Sequence, residues 1–211
     1  MYVDIHTHRL AVPNSLAIHN LKFDEAAQIL GNIMNTYFSI GIHPWEVHTY
    51  SPTDLDELRS YCTHECVVAV GECGLDKHSK APLEIQTIFF KEQIHISEQL
   101  GKPLIIHCVG HFNELIRIKK ETKPGQPWII HGFRGKPDMA KQLLRAGCYL
   151  SYGEHFNIES VKITPLNRLM IETDESKLDI AEMYQAICMV KQINQSELKT
   201  NSIVFNRLIP L

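Results

Sequence analysis

Short apolar segments alternate with longer segments of helical periodicity along the chain, and this rhythm restricts the fold more than any other feature. Several apolar segments, such as Val67–Val70 and Leu104–Ile106, are apolar at successive positions rather than at every second one. Such strands are buried on both faces, as in a parallel sheet that is covered by helices. Strands that alternate with helices are typical of βαβ units. The sequence therefore predicts an α/β fold with a parallel sheet.

Eight strands and seven helices are predicted from apolar runs, helical periodicity and end signals. The strands are Tyr2–His8, Ser15–Asn20, Tyr37–Ile42, Val67–Cys73, Leu104–Val109, Trp128–Gly132, Cys148–Tyr152 and Leu169–Thr173. The helices are Asp24–Met34, Thr53–Cys62, Leu83–Leu100, Phe112–Glu121, Pro137–Ala146, Ile180–Ile193 and Ser196–Leu208. Residues 9–14 are too few for a helix, so either a helix has been lost there or the second run is not a strand.

This pattern favours a compact TIM-type (β/α)8 barrel with a shortened first β–β connection. The 211 residues are expected to form a single domain, residues 1–211, near the small end of the size range of this fold. Because 44% of the residues are hydrophobic and 21% are charged, the chain can bury a full core.

The charge balance argues against a protein that holds nucleic acid mainly by its own charge. The net charge is −3 and the pI is about 6.4, whereas such proteins usually carry a basic excess. An acidic enzyme can still act on a phosphodiester when metal ions supply the positive charge. Residues 1–8 do not form a signal peptide and no apolar stretch reaches membrane-spanning length, so a cytoplasmic location without a membrane partner is the expectation. The sequence does not indicate an oligomeric state, and a monomer is the default.

Polar residues of metal-binding type end several of the apolar runs. His6 and His8 are two positions apart on one strand, so their side chains share a face. A single histidine at a strand end is usually packed or hydrogen-bonded, but a buried carboxylate is costly unless it is paired or bound to metal. Repetition at five strand ends favours a metal site over coincidence. The predicted ligands are His6, His8, Glu72, His107, His131 and Asp174.

A shared site follows if the sheet is a parallel barrel, because all carboxyl ends of its strands lie at one face, where active sites are built. Imidazole and carboxylate ligands suit Zn²⁺, Mn²⁺ or iron, and Mg²⁺ where carboxylates and water dominate. Six ligands exceed the number around one open catalytic zinc ion. The set therefore indicates two divalent ions about 3.5–4 Å apart.

The motifs that contain these residues resemble the TatD-like metal-dependent hydrolases, within the wider group of amidohydrolase-type barrels. The resemblance covers nearly the whole chain and implies a (β/α)8 barrel that hydrolyses DNA or another phosphodiester. It also implies the same six ligands, with Glu72 bridging the two ions. The motifs are Val-Asp-Ile-His-Thr-His at 3–8, Gly-Ile-His-Pro at 41–44, Val-Gly-Glu-Cys-Gly-Leu-Asp at 70–76, Pro-Leu-Ile-Ile-His at 103–107, Ile-His-Gly-Phe-Arg-Gly at 130–135 and Ile-Glu-Thr-Asp at 171–174.

The residues around the metal ligands depart from the family pattern. Val109 and Gly110 stand where a polar or charged pair often follows the histidine of the fifth strand. Lys77 replaces an aromatic residue, and Gly132–Gly135 replaces the usual Cys-Phe-Thr-Gly. The metal ligands are thus kept while the expected substrate contacts are altered.

The functional hypothesis is a DNase-like, metal-dependent hydrolase that cleaves phosphodiesters with a hydroxide activated by two metals. Asp174 would act as general base, with Glu72 as the second catalytic carboxylate. His43, Lys77 and Arg134 are candidates for substrate binding. Asp4 is expected to orient its neighbours by hydrogen bonds, and Trp45 is expected to pack rather than to line the site.

Two alternatives remain. The same metal site could hydrolyse an ester or amide bond in a small molecule or an aminoacyl ester, which the altered substrate contacts and the acidic pI support. A barrel that keeps its metals without catalysis is the third interpretation, and the complete ligand set argues against it.

Overall fold

The computed structural model describes residues 2–9, 15–29 and 36–199. Strand order in the eight-stranded sheet follows the order of the chain, from β1 to β8. The strands are β1 (Tyr2–Thr7), β2 (Ser15–Lys22), β3 (Tyr37–Gly41), β4 (Val67–Asp76), β5 (Leu104–Val109), β6 (Trp128–Ile130), β7 (Tyr149–Tyr152) and β8 (Leu169–Ile171). All eight predicted strands are thus confirmed within small shifts of their ends.

Helices occupy most of the connections between the strands. The α-helices are α1 (Ala26–Ile29), α2 (Asp54–Cys62), α3 (Leu83–Leu100), α4 (Phe112–Thr122), α5 (Pro137–Arg145), α6 (Ile158–Ile163), α7 (Ile180–Lys191) and α8 (Gln195–Lys199). Short 3₁₀ turns are present at Phe23–Glu25 and Leu166–Arg168. Among the residues that the structure describes, no helix is both long and apolar enough to cross a membrane.

Two predicted helices differ from the structure, and one helix was not predicted. The predicted helix Asp24–Met34 is a 3₁₀ turn followed by the short α1, and residues 30–35 lie outside the described residues. Of the predicted helix Ser196–Leu208, α8 accounts for the beginning, and residues 200–211 also lie outside. Helix α6 was not predicted; it begins at Asn157, whose side chain accepts a hydrogen bond from the Ser160 N–H.

The first connection leads into a true strand. Residues of β2 pair in parallel with β1, with Tyr2 opposite Ser15 and Asp4 opposite Ala17. This pairing rules out the alternative in which the second apolar run is not a strand. Residues 10–14 of the connection lie outside the described residues.

The chain divides into two compact units. The terminal unit comprises residues 1–19 and 129–211, and the central unit comprises residues 20–128. In the terminal unit, β7 pairs in parallel with β6 and β8, and a parallel bridge joins Thr7 to Asp174 just beyond β8. The first and last strands therefore meet. Helix α7 is fastened to β1 by the Tyr184 hydroxyl, which donates to the Val3 carbonyl at 3.1 Å.

In the central unit, β4 is parallel to both β3 and β5 and is buried along its whole length. It continues past the predicted end at Cys73 because Gly74 pairs with His107 and Asp76 pairs with Val109. A Cβ at Gly74, where φ is 137°, would overlap the carbonyl oxygen of His107. Glycine thus permits the close approach of the two strand ends.

Buried glutamines of α3 hold the loops that follow two of these strands. The Gln93 amide accepts from the Ile42 N–H at 2.8 Å and donates to the Ile42 carbonyl at 3.1 Å. Gln86 binds the backbone of Asp76 in the same two-way manner, at 2.8 and 3.1 Å. These four hydrogen bonds satisfy backbone groups of Ile42 and Asp76 that would otherwise be buried without a partner.

Replacing Gln93 by leucine should lower the free energy of unfolding by about 2–4 kcal/mol, because both backbone groups of Ile42 lose their partner in a buried position. Urea denaturation measures the change. Gln99→Leu, on the exposed face of the same helix, is the matched control and should change stability little. Equal effects of the two substitutions would show that the Gln93 bonds do not stabilise this loop.

Candidate metal centre

His6 of β1, His8 just after that strand and an aspartate beyond β8 form a donor cluster in the terminal unit. Nε2 of the fully buried His6 lies 3.7 Å from Oδ1 of Asp174, and Nε2 of the more exposed His8 lies 3.5 Å from the same oxygen. One ligand atom from each of the three residues lies within 4.8 Å of the others, a spacing that one metal ion can fill. The two imidazole rings are 5.1 Å apart, as expected two positions apart on a strand.

The backbone holds Asp174 against β1. Its N–H donates to the His6 carbonyl at 3.0 Å, and the His8 N–H donates to its carbonyl at 3.3 Å. Its φ of 52° lies in the left-handed region, which aspartate adopts more readily than most residues. The position of this carboxylate is therefore set by the strand that carries the two histidines.

Asp4 orients the segment before Asp174, as expected from the sequence. Its Oδ1 accepts from the Thr173 N–H at 3.0 Å, and its Oδ2 accepts from the Thr173 hydroxyl at 2.6 Å. Burial raises the pKa of Asp4 to about 7, although the hydrogen bonds from Thr173 act in the opposite direction. Asp4 thus positions its neighbours through Thr173.

His131 and Glu172 form a second group that shares Asp174. Nδ1 of His131 lies 3.5 Å from Oε1 of Glu172. The carboxylate of Glu172 is fully buried and accepts hydrogen bonds from the Gly132 N–H, at 2.6 Å, and from the Ser151 hydroxyl. Buried carboxylates of this kind orient metal-binding imidazoles in many proteins.

The central unit carries its own cluster, composed of His43, Glu72 and His107. Oε2 of Glu72 lies 3.7 Å from Nε2 of His43 and 3.9 Å from Nδ1 of His107. One ligand atom of each residue lies within 4.8 Å of the others. The Asn20 amide donates to the other carboxylate oxygen, Oε1, at 3.0 Å and accepts from the Glu72 N–H at 3.1 Å. Glu72 is therefore fixed with Oε2 facing both imidazoles.

Asp76 selects the nitrogen of His107 that can bind a metal. Its Oδ2 lies 2.7 Å from Nε2 of His107, and its side chain is almost fully buried. Burial alone would raise the pKa of Asp76, but hydrogen bonds from the His78 N–H, His107 and Trp45 outweigh it and hold the pKa below its usual value. The ionised carboxylate accepts a hydrogen bond from Nε2–H, which leaves the lone pair of Nδ1 for a cation.

In His43 the protonated ring nitrogen faces Glu72, whereas in His107 the unprotonated one does. Its Nδ1 accepts from the Trp45 N–H at 3.2 Å. The neutral ring then carries its proton on Nε2, the nitrogen that faces Glu72. His43 is thus a donor to an oxygen atom in this arrangement and is poorly suited to bind a cation through Nε2.

The other predicted substrate contacts lie at two separate places. Arg134 lines a cleft of about 380 Å³ together with Asp174 and Lys177 in the terminal unit. Lys77 is exposed in the central unit, and the stem of its side chain lies against Gly110.

The expectation that Trp45 packs is wrong, because 54% of the residue is exposed. Its ring nitrogen donates to Oδ2 of Asp76 at 2.8 Å, so a polar contact rather than burial holds the ring.

Two buried carboxylates, Asp76 and Glu172, were not predicted as site residues. Glu172 could have been found because it lies within the predicted apolar strand Leu169–Thr173, where a carboxylate is costly unless it has partners. Asp76 belongs to the Gly-Leu-Asp motif but lies beyond the predicted end of its strand.

Comparison with known proteins identifies the family. The sequence model of the family described as TatD related DNase matches residues 6–201. The chain belongs to this family. It is 35% identical to the uncharacterized metal-dependent hydrolase YabD of Bacillus subtilis (strain 168) over 147 residues, 65% of this chain and 58% of YabD. It is 29% identical to the 3′-5′ ssDNA/RNA exonuclease TatD of Cronobacter turicensis over 164 residues, 72% of this chain and 61% of that protein.

The chain spans about three fifths of the length of these TatD relatives. Solved structures match it over more of their length. The TatD homologue YJJV of Escherichia coli K12 has a TM-score of 0.88 at 21% identity and covers 100% of this chain and 98% of its own. A TatD family hydrolase of Entamoeba histolytica has a TM-score of 0.79 at 17% identity, with 99% and 97% covered. These matches confirm the TIM-type barrel fold and, with the family match, the resemblance stated from the motifs.

The donor chemistry of both clusters in this TatD family member fits a divalent cation. The terminal cluster combines two imidazoles with a carboxylate, and the central cluster offers Nδ1 of His107 and Oε2 of Glu72, donors that Zn²⁺ and Mn²⁺ both accept. The hydrogen bond that Asn20 donates to Glu72, and the one that His107 donates to Asp76, orient Glu72 and His107 before any ion binds.

Replacing Asp76 by asparagine should weaken Mn²⁺ binding about 10- to 100-fold, because His107 loses the charged acceptor that fixes its Nδ1 as the ligand atom. Calorimetric titration of chelator-treated protein measures the affinity, with circular dichroism as the check on folding. The matched control is Asp138→Asn, on a carboxylate that is 90% exposed. An unchanged affinity in the Asp76 variant would contradict the role assigned to this hydrogen bond.

Proposed function

We propose that the chain is a metal-dependent phosphodiesterase of the nuclease type. The observation that carries the proposal is that each unit holds its own cluster of imidazole and carboxylate ligands at the carboxyl ends of its strands. In a TIM-type barrel these ends lie at one face, which supports a centre with two divalent ions, Zn²⁺, Mg²⁺ or Mn²⁺. The proposed ligands are His6, His8, Glu72, His107, His131 and Asp174, with Glu72 as the bridge.

When bound, the ions would lower the pKa of water and polarise a phosphoryl oxygen. The proposed base is Asp174, because its carboxylate is partly open to solvent, with 28% of the side chain exposed, while its backbone is fixed. It can accept the proton of the attacking water with little reorganisation. Glu72 is more buried, which suits a ligand better than a proton acceptor.

Three residues are proposed to contact the substrate. Arg134 lines the same cleft as Asp174, where its guanidinium can pair with a phosphate oxygen. His43 can donate from Nε2 to a substrate oxygen, because the Trp45 N–H occupies its Nδ1. Lys77 is exposed and follows β4 directly after Asp76, so its ammonium is available to a second phosphate.

The proposed substrate class is single-stranded nucleic acid, the class printed in the name of the Cronobacter relative. The acidic pI of about 6.4 makes bound metal the main source of positive charge for this substrate. We further propose a single domain over residues 1–211 that acts as a monomer in the cytoplasm.

An ester or amide hydrolase is the second candidate, and the lining of the cleft favours it. Glu154 and Glu175 line the cleft together with Asp174 and Arg134, and carboxylates repel a polyanion. Turnover of bis-p-nitrophenyl phosphate and of a single-stranded oligonucleotide, compared with a panel of carboxylic esters, separates the two functions. Ester turnover without any metal-dependent phosphodiester cleavage would replace the nuclease proposal.

Substituting Asp174 by asparagine should lower oligonucleotide cleavage by about 10²- to 10⁴-fold, because an amide cannot accept the proton. Elemental analysis of the same preparation should still find metal, since an amide oxygen can remain a ligand. Glu175→Gln, one residue further along the cleft, is the control and should remain active. Full activity of the Asp174 variant would refute its role as base.

Arg134→Ala should raise KM for the oligonucleotide about tenfold or more while kcat changes less, because the pair with phosphate contributes to binding before the reaction. Arg145→Ala, at the end of α5, provides a control of the same charge. Steady-state kinetics at fixed ionic strength measure both constants. An unchanged KM would remove Arg134 from the set of substrate contacts.

A further inference from the structure

We infer that Trp45 is a stacking platform for a nucleobase of the substrate, next to the donor cluster of the central unit. The inference rests on the proposed nuclease function and names how that site would recognise a nucleic acid. Any base can stack on an aromatic ring, because every base has a π-face. Stacking therefore suits a site that binds nucleic acid without sequence specificity.

The exposure of Trp45 is the first observation. The ring is 54% exposed, although tryptophan is usually mostly buried, and the other indole, that of Trp128, is fully buried. An indole left in water next to a candidate catalytic site offers apolar area to a ligand.

The second observation is that the exposed ring is held firmly. Its Nε1–H donates to Asp76, which is 1% exposed and also bonds His107. The turn that carries the ring is closed by the Glu46 N–H, which donates to the His43 carbonyl at 2.8 Å, and is tied down by Ser79, whose hydroxyl donates to the Pro44 carbonyl at 2.6 Å. A base would thus meet a platform that loses little freedom on binding.

The third observation is the position of the ring relative to the candidate ligands. The centroid of the Trp45 ring lies 5.1 Å from that of His43 and 6.0 Å from that of His107, and both imidazoles meet it at steep angles of 83° and 68°. Neither imidazole stacks in parallel on the indole, and 54% of Trp45 remains exposed to a flat partner. A nucleotide whose phosphate reaches His107 can place its base on this ring.

An abasic substrate isolates the stacking contribution. Cleavage rates are compared for a short oligonucleotide with adenine, or with an abasic tetrahydrofuran unit, at the nucleotides that flank the cleaved bond. Both Trp45→Phe and Trp45→Leu remove the hydrogen bond to Asp76, but only phenylalanine keeps an aromatic face. The ratio within each protein cancels any general loss of activity.

The wild-type protein should prefer the adenine substrate by roughly tenfold to a hundredfold. Trp45→Phe should keep most of this preference and Trp45→Leu should lose it. The control Ile88→Ala, at an equally exposed apolar residue of the same unit, should keep the wild-type ratio. Retention of the preference by Trp45→Leu, or an equal loss in both Trp45 variants, would overturn the inference.

A binding measurement without metal separates this inference from the hydrolytic function. Since Trp45 and Trp128 are the two tryptophans of the chain, dAMP should quench the fluorescence of chelator-treated protein, whereas 2-deoxyribose 5-phosphate should not. The quenching should be absent in Trp45→Phe, whose remaining indole is buried. Quenching by dAMP without cleavage of any oligonucleotide would refute the nuclease proposal and leave the platform intact. Cleavage without base-dependent quenching would refute the platform alone.

Discussion

Burying a carboxylate among strand ends costs folding free energy unless hydrogen bonds satisfy the charge. This constraint determines how the candidate metal centre is arranged. In the central unit, Asp76 meets it by accepting from the His78 backbone, from His107 and from Trp45. In the terminal unit, Glu172 accepts from the Gly132 backbone and from Ser151. Each carboxylate also lies next to a histidine near a strand end, Asp76 at 2.7 Å from His107 and Glu172 at 3.5 Å from His131, and both histidines are proposed metal ligands.

This arrangement connects fold stability with function. Because Nε2–H of His107 donates a hydrogen bond to Asp76, the unprotonated Nδ1 is the nitrogen that faces Glu72. Because the Trp45 N–H occupies Nδ1 of His43, the neighbouring imidazole becomes a donor instead. Both rings carry their proton on Nε2, but His107 turns Nδ1 toward Glu72 and His43 turns Nε2 toward it, so the two histidines have different chemical roles. The other proposed ligands lie near the ends of the parallel strands.

The strands and the residues at their ends could be predicted from the sequence, because both depend on local apolar patterns. Helix α6 could not, since Ile158–Ile163 is short and its start depends on the side chain of Asn157. Asp76 was missed because the length of β4 is set by pairing of Gly74 with His107, a long-range contact. The exposure of Trp45 likewise depends on a distant partner, the carboxylate of Asp76.

Anomalous diffraction from crystals loaded with Mn²⁺ would locate each ion and its ligand atoms. We expect two peaks about 3.5–4 Å apart. Glu72 should bridge them, and His107 should bind through Nδ1 while its Nε2 stays on Asp76. A single peak, or a peak bound by Nε2 of His107, would contradict the proposed centre and the hydrogen bond on which its geometry depends.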